Sequence, residues 1–272
     1  AAAEDLGHAS VFSHDIKITA VNTYRPIRGS DIVIIAAGAN QKPGQTRTDL
    51  LQANTAVIND IVPRVMANVD SKTVKLIIVT NPLDVMVMVA QKLSKLPPAR
   101  VIGTGTMLDS ARLKTILSRQ LSVSTQSINA YVLGEHGDSS MINWSAVCIG
   151  GIDLNSFCKQ TKISLPQTTR KTIEHRVHNA AYEIIQGRGA TWDGIAGAVA
   201  DLVRCIANDE HRILTISTVD GVANKTLAMS LPRIVGANGV IATLNPKMDA
   251  TESAALRRSG KIIRKNYEVV QK

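Results

Sequence analysis

Near the middle of this 272-residue chain an apolar run, Ala130-Tyr-Val-Leu, ends in Gly134-Glu-His-Gly-Asp-Ser-Ser140, so that a single histidine stands between two glycines. Glycine tolerates positive φ and lets other groups come close, which allows His136 to be offered to a small ligand at a strand end. Imidazole titrates near neutral pH and can give and take a proton within one cycle. Asp109 and Arg112 lie three residues apart in a stretch of helical pattern, which puts a carboxylate and a guanidinium on one face. Arg47 closes a polar loop, Asn81 follows a buried-type strand, and Thr191 sits in a glycine-rich joint. Singly, each has an ordinary reading: a solvated loop cation, a turn, a surface pair, a helix cap.

Together they meet the needs of one reaction. Moving a hydride between a nicotinamide and a 2-keto or 2-hydroxy acid calls for four groups. These are a proton donor for the carbonyl oxygen, a carboxylate to orient that donor, a cation to polarise the carbonyl, and an arginine to grip the substrate carboxylate.

The elements that must position these groups are legible in outline. Asp15-Ile-Lys-Ile-Thr-Ala-Val21 alternates like a strand, while Asp31-Ile-Val-Ile-Ile-Ala-Ala37 and Lys75-Leu-Ile-Ile-Val-Thr80 are continuous apolar runs of the kind buried in a parallel sheet. Between the last two, a helix from about residue 48 towards residue 70 places Leu50, Val57, Ile61 and Val65 on one stripe, with a kink expected at Pro63. A second helix runs from Leu83 to about Leu93, Val101-Ile102 forms a short strand, and a third helix spans Met107 to about Leu121. Alternating strands and helices make a doubly wound pattern. Beyond it come short antiparallel strands from Trp144 to Ile152 and a long helix over residues 168–185. A flexible joint at residues 187–194 leads into a helix to about Ala207, then strands and turns over 213–219 and 229–242. A final helix opens on an Asp249-Ala-Thr-Glu252 capping box, with Leu256, Ile263, Tyr267 and Val270 on one stripe. Buried parallel-type strands stop near Gly103, so the boundary is expected there: residues 1–103 as a partial dinucleotide-binding unit and 104–272 as a mixed α+β substrate unit.

Composition narrows the function classes. A content of 44% hydrophobic and 19% charged residues is that of a soluble globular protein, and aromatics at 3% leave the core mostly aliphatic. Thirty-one Lys plus Arg against 22 Asp plus Glu give +9, but the basic residues are scattered and no stacking-aromatic platform accompanies them, which argues against a nucleic-acid partner. Cys148, Cys158 and Cys205 form no CxxC pair, so neither a disulfide framework nor a metal site is expected, and a reduced cytoplasmic protein is. No apolar run reaches the ~18 residues of a membrane span.

AGANQKPGQTR (37–47), TNPLDV (80–85), GTGTMLDSAR (103–112) and GEHGDSS (134–140) resemble, in order and spacing, motifs of the L-lactate and malate dehydrogenase family. The resemblance implies a Rossmann-type sheet, NAD as cofactor, a small 2-keto or 2-hydroxy acid as substrate and a homo-oligomer, dimer or tetramer. It makes His136 the proton donor and acceptor, Asp109 its partner, Arg47 the carbonyl-polarising residue on a closing loop, and Arg112 the clamp on the carboxylate. Asn81 and Thr191 contact the substrate, and Ala37, Gly38, Asn54, Val79, Asn81 and Ile195 contact the cofactor. Gln41 stands where lactate enzymes of the family have glutamine and malate enzymes arginine. A second substrate carboxylate would there be buried without a cation, so Gln41 points to pyruvate and lactate, with longer 2-hydroxy acids still open. Malate dehydrogenase and a non-catalytic interaction subunit are the competing readings.

The family's strand, GxGxxG turn and helix are not found in this sequence; neither Gly103-Thr-Gly-Thr nor Gly187-Arg-Gly-Ala has that pattern. Such a unit is expected upstream of Ala1. The positions matching the family's interface site for fructose 1,6-bisphosphate hold Lys114 and Asn129, so activation by that ligand is expected to be weak or absent.

Overall fold

The computed structural model describes residues 1–12, 16–39, 47–220 and 227–271. After an N-terminal helix α1 (Ala2–Ser10) come β1 (Ile32–Ile35), α2 (Arg47–Met66), β2 (Lys75–Ile78), α3 (Leu83–Ser94), β3 (Val101–Gly103) and α4 (Met107–Leu121). Five two-residue strands follow: β4 (Ile128–Asn129), β5 (Val132–Leu133), β6 (Met141–Ile142), β7 (Cys148–Ile149) and β8 (Ile152–Asp153). The chain continues through α5 (Leu154–Thr161), α6 (Gln167–Arg188), α7 (Asp193–Ala207), β9 (Arg212–Asp220), β10 (Leu227–Gly236), β11 (Gly239–Thr243) and α8 (Ala250–Val270).

The main sheet has the order β1-β2-β3-β9-β10-β11. Its first three strands are parallel, and it then turns antiparallel where Gly103 of β3 lies opposite Ser217 of β9. The period of two along each strand sorts side chains to opposite faces. Leu76, Ile78 and Val101 point into a core shared with α2, α3 and α8, whereas Ile77 and Ile102 meet Leu202, Cys205 and Ile206 of α7. A separate aliphatic core joins Leu113, Leu117 and Leu121 of α4 to β4, β5, β7 and α6. Helices on both faces of the sheet make this an α/β fold of the Rossmann type, and α4 belongs to both regions because it rises directly from β3.

Three local expectations need correction. Residues 16–21 form no strand and are largely exposed, because their alternating pattern finds no neighbouring strand among the described residues. On α2 the buried stripe is Leu51, Ile58, Val62 and Val65, together with Asn54 and Thr55; Leu50, Val57 and Ile61 are only partly buried, and the helix ends at Met66. The joint before α7 is shorter than expected. Helix α6 runs through Gly187 to Arg188 and ends at Gly189, whose φ of +79° supplies the left-handed cap.

Candidate active site

The first turn of α4 is fastened on two sides before Asp109 does any chemistry. The hydroxyl of Ser110 accepts the backbone N–H of Val132 at 3.0 Å and lies 3.0 Å from the Thr215 hydroxyl, tying α4 to β5 and β9. Thr106 repeats the pattern: its hydroxyl donates to the Val132 carbonyl and its N–H to the Thr215 carbonyl. Asp109 is therefore presented from a rigid corner.

Immediately after β5, the chain turns at Gly134 with φ +95°, and a Cβ there would lie 2.6 Å from Ser259 Oγ on α8. Only glycine fits so close a contact in that conformation. The turn is secured by paired backbone hydrogen bonds between Gly134 and Ser230, and by the Ser259 hydroxyl, which accepts the N–H of Glu135 at 2.7 Å. His136 follows at once.

Its Nδ1 lies 2.7 Å from Asp109 Oδ2, and Arg112 Nη1 donates to Asp109 Oδ1 at 2.8 Å. One carboxylate thus carries both cations, with 11% of its side chain exposed against 27% for His136 and 14% for Arg112. Burial by itself pushes the Asp109 carboxyl up, but the charges and hydrogen bonds of His136 and Arg112 outweigh it and hold the group below the usual carboxylate range. Burial likewise works against a charged imidazole. Asp109 overcomes this, helped by Asp84 and opposed by Arg112, and His136 titrates above the ordinary histidine range. With Nδ1 committed to a carboxylate, Nε2 is the nitrogen left to exchange a proton with a ligand.

The strand ends nearby are built differently. Ala37, Gly38 and Asn81 are exposed at the carboxyl ends of the adjacent parallel strands β1 and β2, with Val79 half-buried beside them, the edge where open α/β sheets take nucleotides. Gly38 approaches so closely that a Cβ there would lie 2.7 Å from Thr80 Cγ2. Asn54 is buried, its carbonyl oxygen accepting the Ala39 N–H at 2.6 Å and its amide donating to the carbonyls of Asn81 at 2.7 Å and Ala39 at 3.2 Å. Through these bonds Asn54 braces the two strand ends.

Thr191 and Ile195, both half-buried, flank the start of α7, where Gly194 comes so close to Leu108 that a Cβ would lie 3.0 Å from its Cδ1. That contact brings the joint beside Asp109. Arg47 is the first residue of α2, while Gln41 lies outside the described residues. Among the described residues no cluster of His, Cys, Asp or Glu is arranged to hold a metal ion, and no helix is long and apolar enough to cross a membrane.

Sequence reasoning missed Asp84. This carboxylate, 2% exposed in the first turn of α3, accepts the backbone N–H of His136 at 2.8 Å through Oδ2 and the Ser217 hydroxyl at 2.6 Å through Oδ1. Its signal was an acid inside an otherwise apolar run, Leu83-Asp-Val-Met-Val-Met-Val-Ala90, since a charged group there is seldom buried without a task.

An acid–base couple set against the carboxyl ends of a parallel α/β sheet is the build of a nucleotide-linked oxidoreductase. Comparison with known proteins makes that specific. Residues 1–103 match the lactate/malate dehydrogenase NAD-binding domain, and residues 106–272 match the α/β C-terminal domain of the same enzymes. L-lactate dehydrogenase of Thermus aquaticus is 44% identical over 266 residues, spanning 96% of this chain and 84% of that protein. The Geotalea daltonii L-lactate dehydrogenase is 39% identical over 277 residues, spanning 99% and 87%. Among solved structures, a lactate dehydrogenase from a deep-sea metagenome library superposes with a TM-score of 0.93 at 33% identity, covering 99% of this chain and 86% of its own. The chain belongs to the lactate/malate dehydrogenase family.

Proposed function

We propose that this protein catalyses the NAD-dependent interconversion of L-lactate and pyruvate, the reaction after which the relatives at 39% and 44% identity are named. The observation that supports this most is the 2.7 Å contact between His136 Nδ1 and Asp109, with Arg112 on the same carboxylate. When bound, NAD supplies or accepts the hydride. In pyruvate reduction His136, as imidazolium, gives its Nε2 proton to the carbonyl oxygen; in lactate oxidation the neutral ring takes the hydroxyl proton back. Asp109 fixes the ring and stabilises its charged form. Arg112 donates its remaining N–H groups to the substrate carboxylate, Arg47 polarises the carbonyl, Asn81 contacts the substrate oxygen and Thr191 lines the pocket.

Gln41 gives the substrate end no second cation, which favours a monocarboxylate over oxaloacetate. The exposed strand ends suit a planar ligand: small residues at Ala37 and Gly38 let it come close, and Val79 and Ile195 offer apolar cover, with Asn54 holding the ends in register. In this reading residues 1–103 form the cofactor unit and 104–272 the substrate unit, coupled through β3 and β9. The protein works in the cytoplasm as a homo-oligomer, a reading that the exposed apolar Tyr182, Ile185 and Trp192 around the end of α6 support.

Purified protein assayed with NADH against pyruvate and oxaloacetate tests this directly. Pyruvate is expected to be turned over with a kcat/KM about a hundredfold or more above that for oxaloacetate, given the cost of burying an unpaired carboxylate. The reverse preference would make the protein a malate enzyme. Failure to quench protein fluorescence with NADH would leave a chain that keeps the fold without its chemistry.

A further inference from the structure

Asp84 presents a puzzle that the hydride-transfer reading leaves open. Its two hydrogen bonds need only one acceptor facing the His136 N–H and one polar group facing the Ser217 hydroxyl. An asparagine would serve both: its carbonyl would accept the N–H, and its amide would donate to Ser217, whose hydroxyl can turn round. A neutral side chain would do so without the penalty of burying a charge. Burial indeed pushes the Asp84 carboxyl up to about 6, despite the hydrogen bonds from Ser217 and His136 that pull it down. The N–H and hydroxyl that it accepts favour the carboxylate form all the same, and that charge calls for an explanation beyond packing.

The charged groups around it supply one. Those facing Asp84 are His136 and the buried Glu135 on the catalytic loop, and the fully buried Arg233 on β10. Those facing the imidazole are Asp109, Asp84 and Arg112. Asp109 occupies the ring nitrogen, whereas Asp84 holds the same residue by its backbone. Two carboxylates therefore act on the ring, Asp109 bonded to it and Asp84 through space.

We propose that Asp84 is a positioning residue that sets the acid strength of His136, holding its backbone N–H and placing a second negative charge near the imidazolium. This rests on His136 being the proton donor. In its ionised form Asp84 favours the imidazolium, and so keeps the acid form available for pyruvate reduction. Ser217, on the central antiparallel strand, fixes the carboxylate and favours its charged form.

The test is the pH profile of kcat/KM for pyruvate reduction with NADH, measured for wild type, D84N, D84A, S217A and H136N. In D84N the charge is lost and the hydrogen-bond geometry kept. Its high-pH limb is expected to move down by about half a pH unit or more, so that its rate relative to wild type falls progressively from about pH 6 to about pH 8.5. D84A also removes the acceptor for the His136 N–H and is expected to lower the rate at every pH. S217A keeps the charge but weakens it, and moves the limb in the same direction by less. A D84N limb superimposable on wild type, or a uniform drop across the range, overturns the proposal. Should D84N fail to fold, an unmoved limb in S217A does the same. H136N separates the two levels: loss of about a thousandfold supports the proton-donor reading, and retained activity would remove it and this inference together.

Discussion

The wall that carries His136 and the wall that carries Asn81, each a face of the candidate site, are built on opposite plans. On the first, side chains bind side chains: Asp109 holds His136 and Arg112, and serines and threonines from β9, β10 and α8 fasten the backbone around them. On the second, Ala37, Gly38 and Asn81 are exposed, and the buried polar side chains between the strand ends, Asn54 and Thr80, are hydrogen-bonded to backbone. In the proposed reading the first wall is the acid–base wall, set by the protein alone, and the second is a surface offered to the cofactor. Damage to one should change turnover, and damage to the other should change cofactor affinity.

Substitutions that cross this division test it most severely. R112Q removes the guanidinium proposed to clamp the substrate carboxylate, which is also a cation on Asp109. It is expected to lower kcat/KM for pyruvate about a hundredfold, chiefly through KM, while the NADH dissociation constant moves less than about threefold. A comparable loss of NADH affinity would mean that the two walls are not separate. N54A works on the other side. Three hydrogen bonds to strand-end backbone disappear, and the NADH dissociation constant, read by fluorescence titration, is expected to rise about tenfold with kcat nearly retained. A fall in kcat without weaker binding would place Asn54 with the chemistry.

The pH dependence sharpens the picture of the first wall. His136 titrates above the ordinary histidine range because Asp109 and Asp84 favour its charged form over the penalty of burial. A raised value means the acid form persists to higher pH. Pyruvate reduction should hold through neutrality and fall as pH rises past that raised value, and lactate oxidation should rise through the same window. Initial rates in both directions from about pH 5.5 to about pH 9 check the sign; opposite limbs meeting below about pH 6 would contradict it. The smallest effect is expected from fructose 1,6-bisphosphate, which should change the pyruvate KM less than about twofold. The family resemblance sets Lys114 and Asn129 at the positions proposed to meet that ligand, and Lys114 is already held below its usual range by burial and by the nearby Arg212.

Legibility in the sequence followed the same division between local and distant partners. The couple of Asp109 with Arg112 could be read because three residues on a helix is a fixed geometry, and the α8 capping box of Asp249 and Glu252 forms as its four-residue motif specifies. Asp84 to Ser217 spans 133 residues and Glu135 to Ser259 spans 124, and no periodicity announces such pairs. On α2 the buried face shares Val65 with the apolar stripe but otherwise lies one position beyond Leu50, Val57 and Ile61, for a related reason. Its buried face contains Asn54 and Thr55, polar residues that an apolar pattern leaves out and that tertiary hydrogen bonds bring inside. Residues 16–21 alternate as a strand would, and among the described residues no strand lies beside them.

Where the catalytic loop is tied down has a bearing on how the protein is made. The groups that fix the turn before His136 are Ser230 and Ser259, almost a hundred residues and more beyond it. A ribosome releases the histidine long before either serine. During that interval the imidazole segment has its sequence and not its shape, and the nascent polypeptide can carry the residues of the reaction without the means to perform it. The turn has its full set of hydrogen bonds only with α8 in place.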